Sequence, residues 1–353
     1  MMTAPDQLTG TVVAVQANFY QVQLDDRAVR LLCTRRSRLQ KIGQKVMVGD
    51  RVRVVEPDWT DQRGVINEVF PRETELDRPP VANANQLVLV FALAQPPLEP
   101  MQLSRFLVKA ESTGIDLCVC LNKKDLVSAT ERQEWEARLQ GWGYSPFLIS
   151  VEQQAGLEAL QKQLNDRTTI FAGPSGVGKS SLINLLIPQA QLRVSTVSGK
   201  LQRGRHTTRH VELFSLPNGG LLADTPGFNQ PDLNCDPLTL ATYFPEARER
   251  LKQGSCRFGD CLHRDEPDCV VRGEWERYPH YLDFLKSAIE QLEAREQTTD
   301  ADNSLKLKIK SSGERSYEPR LERKKYRRDS RRQRNQDLQE WCKEMDEEDN
   351  NDL

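Results

Sequence analysis

The first 75 positions alternate between apolar and polar residues in short runs: TGTVVAVQ, FYQVQL, AVRLLC, KVMVGDRVRVV and GVINEVF. Polar turns separate them and helical spacing is absent, which predicts five short strands. Strands this closely spaced predict a small closed β-barrel over residues 1–75, with the OB-fold as first choice. Such barrels often bind RNA, although fold alone does not establish that role. From about residue 80 the rhythm changes to alternating strand and helix. QLVLVFAL is an apolar run of strand length. MQLSRFLVKAEST places Leu103, Phe106, Leu107 and Ala110 on one helical face, with Gly114 as a C-terminal stop. IDLCVCL is a strand ending at Asn122, ATERQEWEARLQGWG a helix with Trp135 and Leu139 four apart, and SPFLIS another strand. GLEALQKQL carries Leu157, Leu160 and Leu164 on one face, and TTIFAG is a strand. This βαβα order predicts a mostly parallel sheet flanked by helices.

SSLINLLI then starts a helix, and HVELFSL and GLLAD flank Pro-Asn-Gly-Gly as a hairpin whose second strand delivers Asp224. Residues 236–296 read as helical, clearest in YLDFLKSAIEQL, where Tyr281, Leu285, Ala288 and Leu292 share a face. From 297 the chain is polar, and a tail that is disordered or only locally helical is expected. The domain expectation is therefore 1–75 barrel, 76–233 α/β domain, 234–296 helical domain and 297–353 tail, a multidomain α/β protein.

A length of 353 residues suits two or three domains, and 38% hydrophobic with 28% charged residues is the balance of a soluble globular chain. No apolar run approaches the roughly 20 residues of a membrane span. The N-terminus, MMTAPDQLTG, lacks a signal-peptide pattern, so a cytoplasmic location is expected. Eight cysteines in such a chain argue against a disulfide framework. Cys118 and Cys120 read as core thiols, while Cys33, Cys235 and Cys342 have no evident partners.

Three motifs carry chemistry. Gly173-Pro174-Ser175-Gly176-Val177-Gly178-Lys179-Ser180, followed by Ser181, fits the phosphate-binding loop. Its glycines let backbone N–H groups surround phosphate oxygens, and the following helix adds its positive end. Lys179 is expected on the β- and γ-phosphates and Ser180 on Mg²⁺. Asp224-Thr-Pro-Gly227 suits a carboxylate holding Mg²⁺ through water and a glycine N–H that senses the γ-phosphate. Asn122-Lys123-Lys124-Asp125 stands at a predicted strand end, where α/β sheets bind ligands. The Asp125 carboxylate can accept paired hydrogen bonds from guanine N1–H and its amine, which adenine cannot supply. The Lys123 stem can lie over the base, Asn122 can tie loops together, and Ser150 is a weaker candidate for backing the base.

Along the chain these elements run base reader, Ser150, phosphate loop, the switch GRHTTR, then DTPG. An ordinary GTPase begins with the phosphate loop and ends with the base reader and serine loop. One order is a rotation of the other, as circular permutation produces. After DTPG, Cys256-x4-Cys261-x-His263-x5-Cys269 offers three thiolates and an imidazole, a closed tetrahedral set for one structural Zn²⁺. His280 is a poorer ligand outside the cluster.

A permuted GTPase with a barrel before it and this cluster after it resembles the RsgA family (also called YjeQ), the small-ribosomal-subunit biogenesis GTPases of bacteria. The resemblance rests on NKKD, GPSGVGKSS, GRHTTR, DTPGF and Cys256 to Cys269, and covers about residues 8–295. It implies GTP hydrolysis stimulated by the small subunit, and a role late in that subunit's maturation. Partners are then the small subunit, its rRNA and GTP or GDP, with no membrane and a monomeric chain. Phe228 follows DTPG where many GTPases carry a water-orienting glutamine, so His206 is the candidate catalytic group beside Lys179. Thr207 or Thr208, with Thr208 favoured, is expected to complete the Mg²⁺ shell with Ser180 and Asp224. Gly176 stands where a potassium-assisted site wants asparagine, so potassium is not expected. The segment SLKLKIKSSGERSYEPRLERKKYRRDSRRQRN is dense in basic residues, suiting RNA phosphates, and the acidic EMDEEDNNDL after it could shield it. Two rivals remain: an ATP-dependent enzyme on the same loop, and an RNA-binding module with a vestigial nucleotide site.

Overall fold

The structure is a computed structural model and describes residues 8–188, 211–224, 233–302, 305–309 and 315–319, apart from 28, 78, 79 and 218. The chain forms two compact units, Met1–Ile289 and Glu290–Leu353.

The five N-terminal apolar runs are the strands β1 (Leu8–Gln16), β2 (Phe19–Leu24), β3 (Arg30–Arg35), β4 (Arg51–Asp58) and β5 (Arg63–Val69). They pair in the order β1-β2-β3-β5-β4, and β4 returns to β1, which closes a barrel. Alternate residues fill its interior: Val12, Tyr20, Val22, Leu31, Cys33, Val52, Val54 and Ile66 form one buried cluster. Burial there pushes the Cys33 thiol up to about 12. One departure from the strand-only reading is a short helix, α1 (Ser37–Lys41), which turns Leu39 into the barrel. A small hairpin, β6 (Glu75–Asp77) with β7 (Pro80–Ala82), follows the barrel.

The next region has β8 (Gln86–Ala92), α2 (Pro100–Glu111), β9 (Asp116–Asn122), α3 (Ala129–Gly141), β10 (Phe147–Leu148), α4 (Leu157–Leu164), β11 (Thr168–Ala172) and α5 (Lys179–Leu186). The hairpin β12 (Glu212–Ser215) and β13 (Leu221–Asp224) completes it. The order β10-β9-β8-β11-β13 is parallel throughout, and β12 runs antiparallel at its side. Strand β8 is buried on both faces, as a central parallel strand must be. Leu87, Leu89 and Phe91 meet α2 and α3 residues on one side, and Val88, Val90 and Ala92 meet α4 and α5 residues on the other. β12 also pairs with β1 at Ala14 and Glu212, which joins the barrel to this sheet. Ser128 and Glu131 form a reciprocal capping box that starts α3.

The C-terminal region holds a 3-10 turn (Leu240–Tyr243), α6 (Pro245–Gln253) and α7 (Tyr278–Asp302) around Phe244, Trp275, Tyr281 and Phe284. Phe244 meets Trp275 and Tyr281 edge-on at 5.4 and 5.6 Å between ring centres, a favoured aromatic geometry. Tyr281, Leu285 and Ala288 of α7 are buried as the spacing predicted, but Leu292 is 45% exposed, because that core ends before it. In the segment expected to be disordered or locally helical, α7 runs to Asp302 and an antiparallel hairpin forms from β14 (Leu305–Ile309) and β15 (Arg315–Pro319). The alternation LKLKI is a strand pattern that the high charge of the segment obscured. No helix among the described residues is long and apolar enough to cross a membrane.

Candidate nucleotide site and metal cluster

Parallel strands bring their C-terminal ends to one edge of the sheet. Asn122 ends β9, Gly173 follows β11 and Asp224 ends β13, with Asp224 in register with Phe171 of β11. The three motifs therefore share the edge at which open α/β sheets receive ligands.

The loop from Gly173 to Gly178 leads directly into α5, whose N-terminal end carries a partial positive charge. Two glycines there are required by space. At Gly173 (φ +137°) a Cβ would stand 2.1 Å from the Val90 carbonyl oxygen, and at Gly178 (φ +96°) it would stand 2.4 Å from Asn122 Nδ2. The Lys179 ammonium donates to the Gly173 and Pro174 carbonyls at 2.7 and 2.5 Å, so its charge already lies across the loop mouth. Ser180 stands in the first turn of α5.

Asn122 is buried and bridges two loops. Its Nδ2 donates to the Val177 carbonyl at 2.9 Å, and its Oδ1 accepts from the Val151 N–H at 3.1 Å. Lys123 adopts a left-handed conformation (φ +61°) and its ammonium donates to the Gly176 carbonyl at 2.9 Å and to that of Gln95. Partial burial holds that ammonium below its ordinary value, with the Asp125 carboxylate opposing. Lys124 is tied to the neighbouring loop, its N–H to the Ile149 carbonyl at 3.1 Å and its ammonium to that of Leu148 at 3.2 Å. Asp125 follows in a 3-10 turn, and its Oδ1 is buried with no hydrogen-bond donor among the described residues. A buried carboxylate oxygen without a donor is costly and rare, so it marks a place for one. Ser150 is fully buried, but its Oγ accepts from the Gln153 N–H at 3.0 Å and serves its own loop.

The structure thus brings Asn122–Asp125, Ser150 and Gly173–Ser181 together. Of Asp224 it gives the backbone place alone, and His206, Thr207, Thr208 and Gly227 lie outside the described residues. Gln95 and Val151 were missed by sequence reasoning. They act through backbone groups, which carry no residue-type signal.

Cys256, Cys261, His263 and Cys269 converge, with all their ligand atoms within 4.8 Å of one another. His263 Nδ1 lies 3.5, 3.4 and 3.3 Å from the sulfurs of Cys256, Cys261 and Cys269, and Cys256 Sγ lies 3.9 Å from that of Cys269. Around a tetrahedral metal with ordinary thiolate and imidazole bond lengths, such edges measure roughly 3.5–3.8 Å. The donor set therefore fits a metal ion. Burial pulls the His263 imidazole below its ordinary value, favouring the neutral ligand form. The surrounding chain holds the loop: Tyr278 and Tyr281 hydroxyls donate to the carbonyls of His263 and Leu262 at 2.8 and 2.7 Å, and Glu266 accepts from the N–H groups of Leu262 and Arg264 at 2.9 and 2.7 Å. His280 is not part of the cluster. Its Nδ1 lies 2.8 Å from Ser104 Oγ, and its ring stands edge-on to Trp142.

Residues 69–234 match the profile of the family described as RsgA GTPase. Among curated proteins, "Small ribosomal subunit biogenesis GTPase RsgA" of Trichormus variabilis is 61% identical, covering 96% of this chain and 98% of its own. The protein of the same name from Microcystis aeruginosa is 63% identical over 95% and 94%. Among solved structures, YjeQ from Thermotoga maritima is 30% identical with a TM-score of 0.70, covering 80% of this chain and 99% of its own. YloQ, described as a circularly permuted GTPase, is 32% identical with a TM-score of 0.68 over 82% and 98%. Matching curated relatives at 61–63% identity over nearly the whole of both sequences, the chain belongs to the RsgA family of GTPases.

Proposed function

We propose that the chain hydrolyses GTP to GDP and phosphate during late maturation of the small ribosomal subunit, with the bound nucleotide setting its affinity for that subunit. The names of its curated relatives support the partner. The observation that carries the nucleotide reading is Asp125 Oδ1, buried and lacking a donor among the described residues, beside a phosphate loop that Asn122 anchors.

In this reading Asp125 accepts from guanine N1–H and the amine, and Lys123 and Lys124 shape the base loop, with Ser150 behind the base. Backbone groups from Gly173 through Gly178, with Pro174, Ser175, Gly176 and Val177 between them, enclose the phosphates, and Ser181 extends the contact. Lys179 exchanges its loop carbonyls for the β- and γ-phosphate oxygens and stabilises the charge that develops as water attacks the γ-phosphorus. The bond from that phosphorus to the β–γ bridging oxygen breaks and the electron pair leaves with GDP. His206 orients the water, since Phe228 offers no hydrogen bond. Ser180, Thr208 and, through water, Asp224 would hold Mg²⁺, which neutralises phosphate charge; Thr207 is the alternative to Thr208, and Gly227 senses the γ-phosphate.

The cysteine cluster would hold Zn²⁺ in a closed structural set. The domain division is 1–75, 76–233, 234–296 and 297–353, with barrel and metal domain contacting rRNA, in a cytoplasmic monomer. Turnover of labelled GTP challenged with unlabelled GTP or with ATP tests the nucleotide reading. GTP alone should compete, and Lys179→Ala should abolish turnover; equal competition by ATP would sink it.

A further inference from the structure

Beside the cysteine cluster lies a groove that none of the chemistry above uses. It encloses about 510 Å³ and is lined by Arg264, Asp265, Arg272, Tyr278, Leu282 and Lys286. The metal loop supplies Arg264 and Asp265, Arg272 follows the last cysteine, and the other three stand on successive turns of α7.

The lining combines two chemistries. Arg264, Arg272 and Lys286 are exposed, and among the described residues none of the three is held in an ion pair. Nearby Arg277, by contrast, is buried against Glu246. Tyr278 and Leu282 are half-buried and give the groove an apolar floor. That floor is rigid. The Tyr278 hydroxyl is fixed to the His263 carbonyl at 2.8 Å, and its ring is stacked on Tyr281 and packed on Trp275, with centres 6.1 and 5.6 Å apart.

We infer that this groove is a subsite for one unpaired nucleotide of RNA and its flanking phosphates. The three cations match phosphodiester charge, and a flat apolar floor beside them matches a base whose faces are free. A duplex keeps its bases stacked inside and would leave that floor empty. Asp265 is the one carboxylate in the lining, suited to accept from a ribose hydroxyl or a base amine. The inference rests on the reading of the chain as a protein that works on the small ribosomal subunit, and names where its metal domain takes hold of RNA.

The test uses the full chain and a short fluorescein-labelled oligouridylate, with affinity measured by anisotropy across a salt series. Each single-strand phosphate contact contributes about 0.7 to the log–log salt slope. The triple variant Arg264→Gln, Arg272→Gln, Lys286→Gln should lower the slope by about 2 and weaken binding at low salt by at least about tenfold. Leu282→Gln should weaken binding with the slope kept. Basal GTP turnover and metal content, which neither variant touches, confirm folding. An unchanged slope and affinity in the triple variant would overturn the subsite. So would loss of small-subunit binding with oligouridylate binding intact, which would assign the groove to a protein. Stimulation of the wild-type chain by small subunits, assayed separately, shows whether the broader reading stands when the subsite fails.

Discussion

Asn122 and Val177 are joined by a 2.9 Å hydrogen bond from the asparagine Nδ2 to the valine carbonyl, between two loops 55 residues apart in the chain. The same amide accepts from the Val151 N–H. One buried side chain therefore sets the distance between the loop proposed to read the base and the loop proposed to hold the phosphates. A rotation of chain order leaves this contact possible, because it depends on which strand ends are neighbours and not on which comes first.

If Asp125 reads guanine, Asp125→Asn should weaken GTP and GDP binding about 100-fold, the effect of roughly 3 kcal/mol of lost charge-assisted hydrogen bonding. The new amide can donate, so it should favour xanthosine triphosphate, whose C2 carbonyl replaces the guanine amine. Competition against a fluorescent GDP analogue reads both changes. Unaltered GTP affinity would remove Asp125 from the base site.

Gly178→Ala puts a methyl 2.4 Å from Asn122 Nδ2, at a backbone angle that L-residues rarely adopt. The expected cost is about 1–3 kcal/mol of stability, with nucleotide affinity falling as the two loops separate. Thermal unfolding with and without GDP separates the two effects. A variant with wild-type melting and affinity would show that the contact is dispensable.

Much of this architecture was legible in the sequence, for identifiable reasons. Strand β8 reads as QLVLVFAL because both its faces are covered, and the phosphate loop reads as glycines because Val90 and Asn122 press against it. The capping box at Ser128 and Glu131 carries a Ser-x-x-Glu signature that marks the start of α3 in the sequence. Other features had no local signature. Arg277 is fully buried, pairs with Glu246, and lies 4.9 Å from Trp142 and 5.0 Å from Phe244 ring centres. Those partners come from distant segments, and an arginine in sequence looks like surface. Leu292 shows the opposite failure: the helical period continued past the end of the core it was meant to face.

Removal of a bound metal should loosen the segment from Cys256 to Cys269, because three converging thiols and an imidazole, with Cys261 and His263 buried, would lose the ion that joins them. Dialysis of the purified chain against a chelator should release one zinc per chain and reduce the near-ultraviolet dichroism of Trp275 and Tyr281, which pack beside the cluster. Binding displaces thiol protons, and burial pushes the Cys261 thiol up to about 12, so apparent metal affinity should rise with pH. Purified chain without bound metal, or a spectrum indifferent to chelation, would contradict the structural role.

The most direct measurement is GTP turnover by the purified chain alone, with small ribosomal subunits, and with large subunits in a parallel reaction. Slow basal turnover, strong stimulation by small subunits alone, and loss of both in Lys179→Ala are expected. Fast basal turnover that neither subunit changes would retain the GTPase and contradict its placement on the small subunit.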